Sequence, residues 1–241
     1  MSVRAMVAAV ALGSTALVAP ASAATYLITY TGVVTDGYAA GAFGLYGDDL
    51  TGRSFKAVYK LTFPTPGADT FVNDDIAYIH GGEANSDPSP QSAKLTINGV
   101  TESFDGNWWG WAFRKDGFGK YLVFDDIENK VVDYVNDGTV YELSYMYNYI
   151  SSDLHKIVNG SRFSGLFDYT VLPGDIDNSE FQISTHDFSK YTYQSAGGHF
   201  ATQRITVTAV PEPMTWSTMI GGFGLIGFTL RRRHRQVPLS A

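Results

Sequence analysis

The sequence predicts an all-β protein, a two-sheet antiparallel β-sandwich. Three observations carry this expectation. Apolar residues alternate with a period of two through several segments, Asn-Gly and Asp-Gly pairs fall between such segments, and no stretch between the chain ends keeps helical spacing. Ten or so strands are expected. A jelly-roll order is open to them, because sequence does not fix strand topology.

The elements follow in order. Tyr26 to Thr35 alternates apolar and small polar residues and reads as a strand. In Ser54 to Phe63 the period of two places Phe55, Ala57, Tyr59, Leu61 and Phe63 on one face. Lys94 to Ile97, then Asn98-Gly99, then Val100 to Phe104 predicts a hairpin, since both turn positions take positive φ. Asp116-Gly117 predicts a second, between Trp111-Ala112-Phe113 and Phe118 to Phe124. Asp137-Gly138 predicts a third, between Val131 to Val135 and Val140 to Ile150. Phe200 to Ala209 reads as the last strand.

Aromatic residues give the first functional lead. In a strand, Trp109 and Trp111 share a face and Trp108 opposes them. On the long strand from Val140, the residues Tyr141, Leu143, Tyr145, Tyr147 and Tyr149 share a face, opposite Glu142, Ser144 and Asn148. Rings with polar tips suit a sandwich core, and they also suit stacking on sugars. The core is the expectation for the tyrosine stripe. Trp108, Trp109, Trp111 and Tyr145 are the candidate glycan contacts.

Both chain ends read as sorting segments. Met1 to Ala23 has Arg4 near its start, an apolar run from Ala5 to Ala19, Pro20, and small residues at Ala21 and Ala23 before Ala24. That is the layout of a secretory signal peptide cleaved before Ala24. At the other end, Val210-Pro211-Glu212-Pro213 precedes an uncharged run from Met214 to Leu230, followed by Arg231, Arg232, Arg233, His234 and Arg235. A run of about 17 residues lies near the lower limit for a membrane-crossing helix. The arginines would stay on the cytoplasmic side, leaving the domain outside.

The string VPEPMTWSTMIGGFGLIGFTLRRR resembles the PEP-CTERM sorting signal: a Pro-Glu-Pro motif, a short hydrophobic helix and a basic cluster. The matching parts are Pro211, Glu212, Pro213, Trp216, Gly222-Phe223-Gly224 and Arg231 to Arg233. Two departures stand out: Ser217 follows the Trp where the variant usually has Ala, and a tail continues from Gln236 to Ala241. The resemblance implies an exosortase, a multi-pass membrane cysteine protease, as processing partner. It also implies a Gram-negative, exopolysaccharide-producing host and a transient stay in the inner membrane before release to the cell surface or beyond. The stretch from Tyr30 to Gly52 is similar to the opening of uncharacterised ectodomains of that class. The chain then divides into signal peptide (1–23), β-sandwich ectodomain (24–208), sorting signal (209–235) and tail (236–241).

Composition narrows the function. The whole chain has 17 basic and 24 acidic residues, and without its two ends 12 basic and 23 acidic remain, a net of −11. Such a surface repels phosphate backbones, which argues against nucleic acid as a partner. The absence of cysteine removes disulfides, thiol catalysis and thiolate metal sites. No nucleophile elbow, phosphate loop, zinc helix or dinucleotide fingerprint occurs. Of the acidic clusters, Asp175, Asp177 and Glu180 are the candidate calcium ligands, since calcium takes oxygen donors. His80, His155, His186 and His199 are scattered, and no catalytic residue is assigned. The expectation is a non-enzymatic envelope or matrix protein, sorted by an exosortase, with exopolysaccharide as candidate associate. The alternative is a secreted carbohydrate-active enzyme or a carbohydrate-binding module. An enzyme would bring two carboxylates, or a nucleophile and a base, together in a cleft.

Overall fold

The computed structural model describes residues 23–44, 46–119 and 124–210. Most of the expected signal peptide, and the sorting signal and tail from Pro211 onward, lie outside the described residues. Among the described residues no helix is long and apolar enough to cross a membrane.

The described chain is all-β. Its strands are β1 (Ala24–Ala40), β2 (Tyr46–Asp49), β3 (Ser54–Phe63), β4 (Asp69–Val72), β5 (Ile76–Gly81), β6 (Gln91–Ile97) and β7 (Val100–Phe104). There follow β8 (Trp109–Lys115), β9 (Asp125–Asn136), β10 (Val140–Ser152), β11 (Phe167–Thr170), β12 (Ile176–Asp177), β13 (Ser179–Asp187) and β14 (Thr192–Val210). The strands join in one antiparallel sheet of order β4-β5-β8-β9-β10-β13-β14-β1-β3-β6-β7, with β2 on β1, β11 on β14 and β12 on β10.

This sheet curls until its inner face meets itself. The Asn129 Nδ2 of β9 lies 2.7 Å from the Tyr30 hydroxyl of β1, and the Tyr59 hydroxyl of β3 lies 2.9 Å from the Asn148 Oδ1 of β10. The two layers expected from the sequence are therefore halves of one continuous ladder, not independently hydrogen-bonded sheets. Strand twist and bulges allow it: β1 changes register on β14 between Thr31 and Gly32 and again between Val34 and Asp36.

Alternation decides what is buried. Phe55, Ala57, Tyr59 and Leu61 of β3 all point inward, as the sequence predicts. They meet Ile28 and Tyr30 of β1, Leu95 and Ile97 of β6, Ile127 and Val131 of β9, and Met146 and Ile150 of β10. Each such side chain removed from water contributes roughly 1.5–3 kcal/mol before entropy is counted. The Asn98-Gly99 turn holds as expected, with φ of 53° and 78° between Ile97 and its partner Val100. The Asp137-Gly138 turn also holds: Asp137 Oδ1 accepts the Thr139 and Val140 N–H groups, both at 2.7 Å.

The second expected hairpin is corrected. Strands β8 and β9 do pair, but Lys115 faces Asp126, so the connection is a long loop, not a two-residue turn. Phe118 and Phe124 lie outside any strand, and residues 120–123 are outside the described set. A buried carboxylate explains why this loop departs from the strand pattern. Asp125 Oδ1 accepts the N–H groups of Gly117 and Phe118, while its Oδ2 accepts those of Ile157 and Val158. One side chain thus pins two loops at the end of the sheet.

Candidate binding face

The tyrosine stripe of β10 lies on the side opposite to expectation. Ser144, Met146, Asn148 and Ile150 are buried, as are Ser151 and Ser152 at the strand end, so Tyr141, Leu143, Tyr145, Tyr147 and Tyr149 share the outer, half-buried face. The reason is hydrogen bonding. The inner set has the polar look of a solvent face, but Asn148 accepts the Tyr59 hydroxyl inside the core and Ser144 Oγ accepts the Ser184 N–H. A buried polar group that is paired costs little, so Met146 and Ile150 decide the direction.

Pairing registers extend this outer face across the sheet. Residues Asp36 (β1), His199 (β14), Glu180 (β13), Tyr147 (β10), Lys130 (β9), Trp111 (β8), His80 (β5) and Asp69 (β4) stand directly opposite one another in succession. On one side runs a parallel row of Tyr38, Gly197, Gln182, Tyr145, Val132 and Trp109. On the other run Tyr149, Glu128, Phe113, Tyr78 and Phe71.

The rings are in contact within and between these rows. Phe71 stacks on Tyr78 at 5.5 Å, Tyr78 on Trp111 at 5.5 Å, His80 on Trp109 at 5.1 Å, and Tyr147 on Tyr149 at 6.4 Å. The Lys130 ammonium sits 5.8 Å over the Tyr147 ring. Burial raises the carboxyl pKa of Glu128 and the hydroxyl pKa of Tyr147, which also feels the Glu128 charge. Trp108 is corrected too. It precedes β8, is exposed, and tilts against Tyr134 at 5.2 Å, so it adds to the same aromatic face as Trp109 and Trp111 rather than opposing it.

Where the sheet bends, the face sinks into an open depression of about 390 Å³ walled by Tyr38 and Tyr145. Gly197 forms part of its floor: a Cβ there would lie 3.4 Å from the Tyr38 ring. His199 stands between two carboxylates, with Nδ1 at 3.0 Å from Asp36 Oδ1 and Nε2 at 3.6 Å from Glu180 Oε2. The Asp36 hydrogen bond raises the His199 pKa. Burial, and then Glu180, raise that of the Tyr145 hydroxyl. Sequence reasoning singled out Tyr145 and Glu180 here but missed Asp36. The glycine pair Gly197-Gly198 just before His199 was the signal available.

The three candidate calcium ligands turn to separate partners. Asp175 faces His155 at 2.8 Å and the Tyr169 hydroxyl at 2.6 Å, Asp177 accepts the Thr202 N–H, and Glu180 faces His199. Among the described residues no group of three or more His, Asp or Glu side chains is arranged to hold a metal ion. Burial alone would raise the Asp175 carboxyl, but hydrogen bonds from Ser152, Tyr169, Leu172 and His155 hold it below the usual range. His80 is packed in the aromatic rows, 3.0 Å from Asp69, and His186 lies 4.3 Å from the Tyr193 ring.

The chain matches no family model, no curated protein and no solved structure.

Proposed function

We propose that this is an exported, non-enzymatic envelope or extracellular-matrix protein whose β-domain binds polysaccharide through its outer aromatic face. One observation supports the reading above all others: the Trp and Tyr side chains of β5, β8 and β10 are turned outward and stacked in rows, while the core is filled by other residues. Planar rings with a hydroxyl or N–H edge bind sugars by stacking on their C–H faces while polar neighbours take the hydroxyl groups. Lys130, Glu128, Gln182 and Glu180 supply such neighbours here.

The sequence supports the location. In this reading the signal peptide ends before Ala24, and Pro211, Glu212, Pro213 and Trp216 form the exosortase recognition motif. Met214 to Leu230 is a hydrophobic helix held briefly in the inner membrane by Arg231, Arg232 and Arg233, and a signal helix and this helix flank the sandwich.

Affinity electrophoresis in gels containing the host's exopolysaccharide tests the binding reading. Wild-type protein is retarded, and Trp111→Ala and Tyr147→Ala variants with unchanged circular dichroism run free. Equal retardation of wild type and both variants rules the face out. Replacing Pro211, Glu212 and Pro213 by alanine tests the sorting reading: export continues but the protein stays in the inner membrane with its tail uncut. Identical mass and fractionation of variant and wild type would refute it.

A further inference from the structure

The outer surface of the other half of the sheet, built by β14, β1, β3, β6 and β7, has a different chemistry. We infer that this second face, which carries Lys56, Lys60 and Lys94, rests on the anionic phospholipid surface of a membrane; the inference builds on the sorting reading above, which puts a membrane segment shortly after Val210.

The first argument is charge. Lys56 and Lys60 of β3 and Lys94 of β6 are exposed and alternate with buried Ala57, Tyr59, Leu61 and Leu95. Lys94 stands opposite Val58, while Lys56 faces Thr96 and Lys60 faces Ser92. Lys94 is therefore the diagonal neighbour of both other lysines, about 7–8 Å away. Three like charges this close repel one another. Among the described residues none of the three makes an ion pair or a side-chain hydrogen bond. Carboxylates to pair with are plentiful in a domain of net −11. Three lysines left unpaired on one face mark a surface that meets anions from outside the molecule.

The second argument is the surroundings. Thr31, Lys56, Thr96 and Thr101 form one cross-strand row, and Thr29, Val58, Lys94 and Ser103 form the next. Ammonium groups and hydroxyls both donate hydrogen bonds to phosphate oxygens. No aromatic ring stands in these rows, so the face lacks the stacking surface that sugars use. Lys60 and Lys94 flank a groove of about 310 Å³ lined by one carboxylate, Asp105. The carboxylate of Asp168, farther along the face, is held by Arg204.

The third argument is position. Lys60 faces Leu27 of β1, and Leu27 faces Thr208 of β14, two residues before Val210. That crossing of two strand spacings is about 10 Å. Pro211, Glu212 and Pro213 separate Val210 from the uncharged run that starts at Met214. Four residue steps span at most about 14 Å. So short a tether lets the face lie on the surface, within the Debye length of about 8 Å over which lipid charge acts. Because the sheet curls into two layers, a membrane under this face leaves the aromatic face pointing away from it.

The test is lysine acetylation footprinting of the full chain on vesicles, read by mass spectrometry. One set of vesicles is phosphatidylcholine alone, and the other is phosphatidylcholine mixed with phosphatidylglycerol. Lys56, Lys60 and Lys94 should be acetylated at least about fivefold more slowly on the anionic set, the size of one lysine's attraction to such a surface. High salt should remove the protection. Lys190, held by Asp187 at the far end of β14, should react equally on both sets. In a variant carrying Lys60→Glu and Lys94→Glu, Lys56 should react on anionic vesicles as fast as on neutral ones. Equal rates for the three lysines on both sets overturn the inference. Protection by a soluble polyuronate but not by anionic vesicles assigns the face to an acidic polysaccharide, and also overturns it. The sorting reading is read separately, from flotation with phosphatidylcholine vesicles at high salt. A chain that does not float there sinks that reading, whereas protection on the anionic set still upholds the lysine face.

Discussion

Asp125 shows how much a single buried side chain can hold. Its two oxygens accept four backbone N–H groups from two loops. Asp125→Ala leaves those donors without partners in a dry site, and should lower the unfolding free energy by on the order of 3–5 kcal/mol in urea titration. Arg114 is the complementary case. It donates through Nη1 to the Arg162 and Gly165 carbonyls and lies 5.5 Å over Phe163, and burial lowers its pKa to about 10. The tyrosines separate into two kinds by the same measurement. Tyr59→Phe strands Asn148 in the core and should cost about 1–2 kcal/mol. Tyr145→Ala, on the outer face, should cost no more than about 1 kcal/mol while weakening glycan binding. A melting point many degrees lower for Tyr145→Ala would return the stripe to the core.

Among the elements, the long β1–β14 pair carries the bend. Gly32 sits at the first register shift, where a Cβ would come within 2.0 Å of the Ala201 carbonyl oxygen and 2.9 Å of Phe55. Gly32→Ala must push these strands apart. It should cost about 1–3 kcal/mol and speed amide exchange in β1 and β14 ahead of β9 and β10. Uniform acceleration across the domain would mean the pair is not a separate cooperative unit. Strand β10 was legible as a strand from its alternation, and the Asp137-Gly138 turn was enough to pair it with β9. Which of its faces is inside was not legible, because that depends on Tyr59 of β3, 89 residues away in sequence, meeting Asn148. Local pattern reports periodicity, whereas direction depends on a distant partner.

For the whole molecule, the carboxylates set the acid limit. Asp175 has a pKa below its ordinary value, so its contribution is present above the unfolded value of about 3.9 and is lost as pH falls through the lower folded value. Asp187, held at about 2 by Lys190, acts in the same direction but is exposed and contributes little. His199 has the opposite sign: its raised pKa adds stability below about 6.5 that is lost as pH rises through its folded value. Asp175→Asn should therefore lower stability at neutral pH and flatten its decline below about pH 4, measured by urea unfolding across that range. A decline as steep as that of wild type would place the acid sensitivity elsewhere.

The sequence by itself determined the all-β class, the strand positions of β3, β6, β7 and β10, the Asn98-Gly99 and Asp137-Gly138 turns, and the inward set of β3. Each follows from periodicity or turn chemistry within a few residues. Only the tertiary structure decided that one sheet curls into two layers, that the Tyr stripe faces out, and that Asp36, His199, Glu180, Tyr147, Lys130, Trp111, His80 and Asp69 form one row. That row gathers residues from eight strands scattered between positions 36 and 199. The order in which strands join follows from long-range burial and pairing, which no local stretch of sequence encodes.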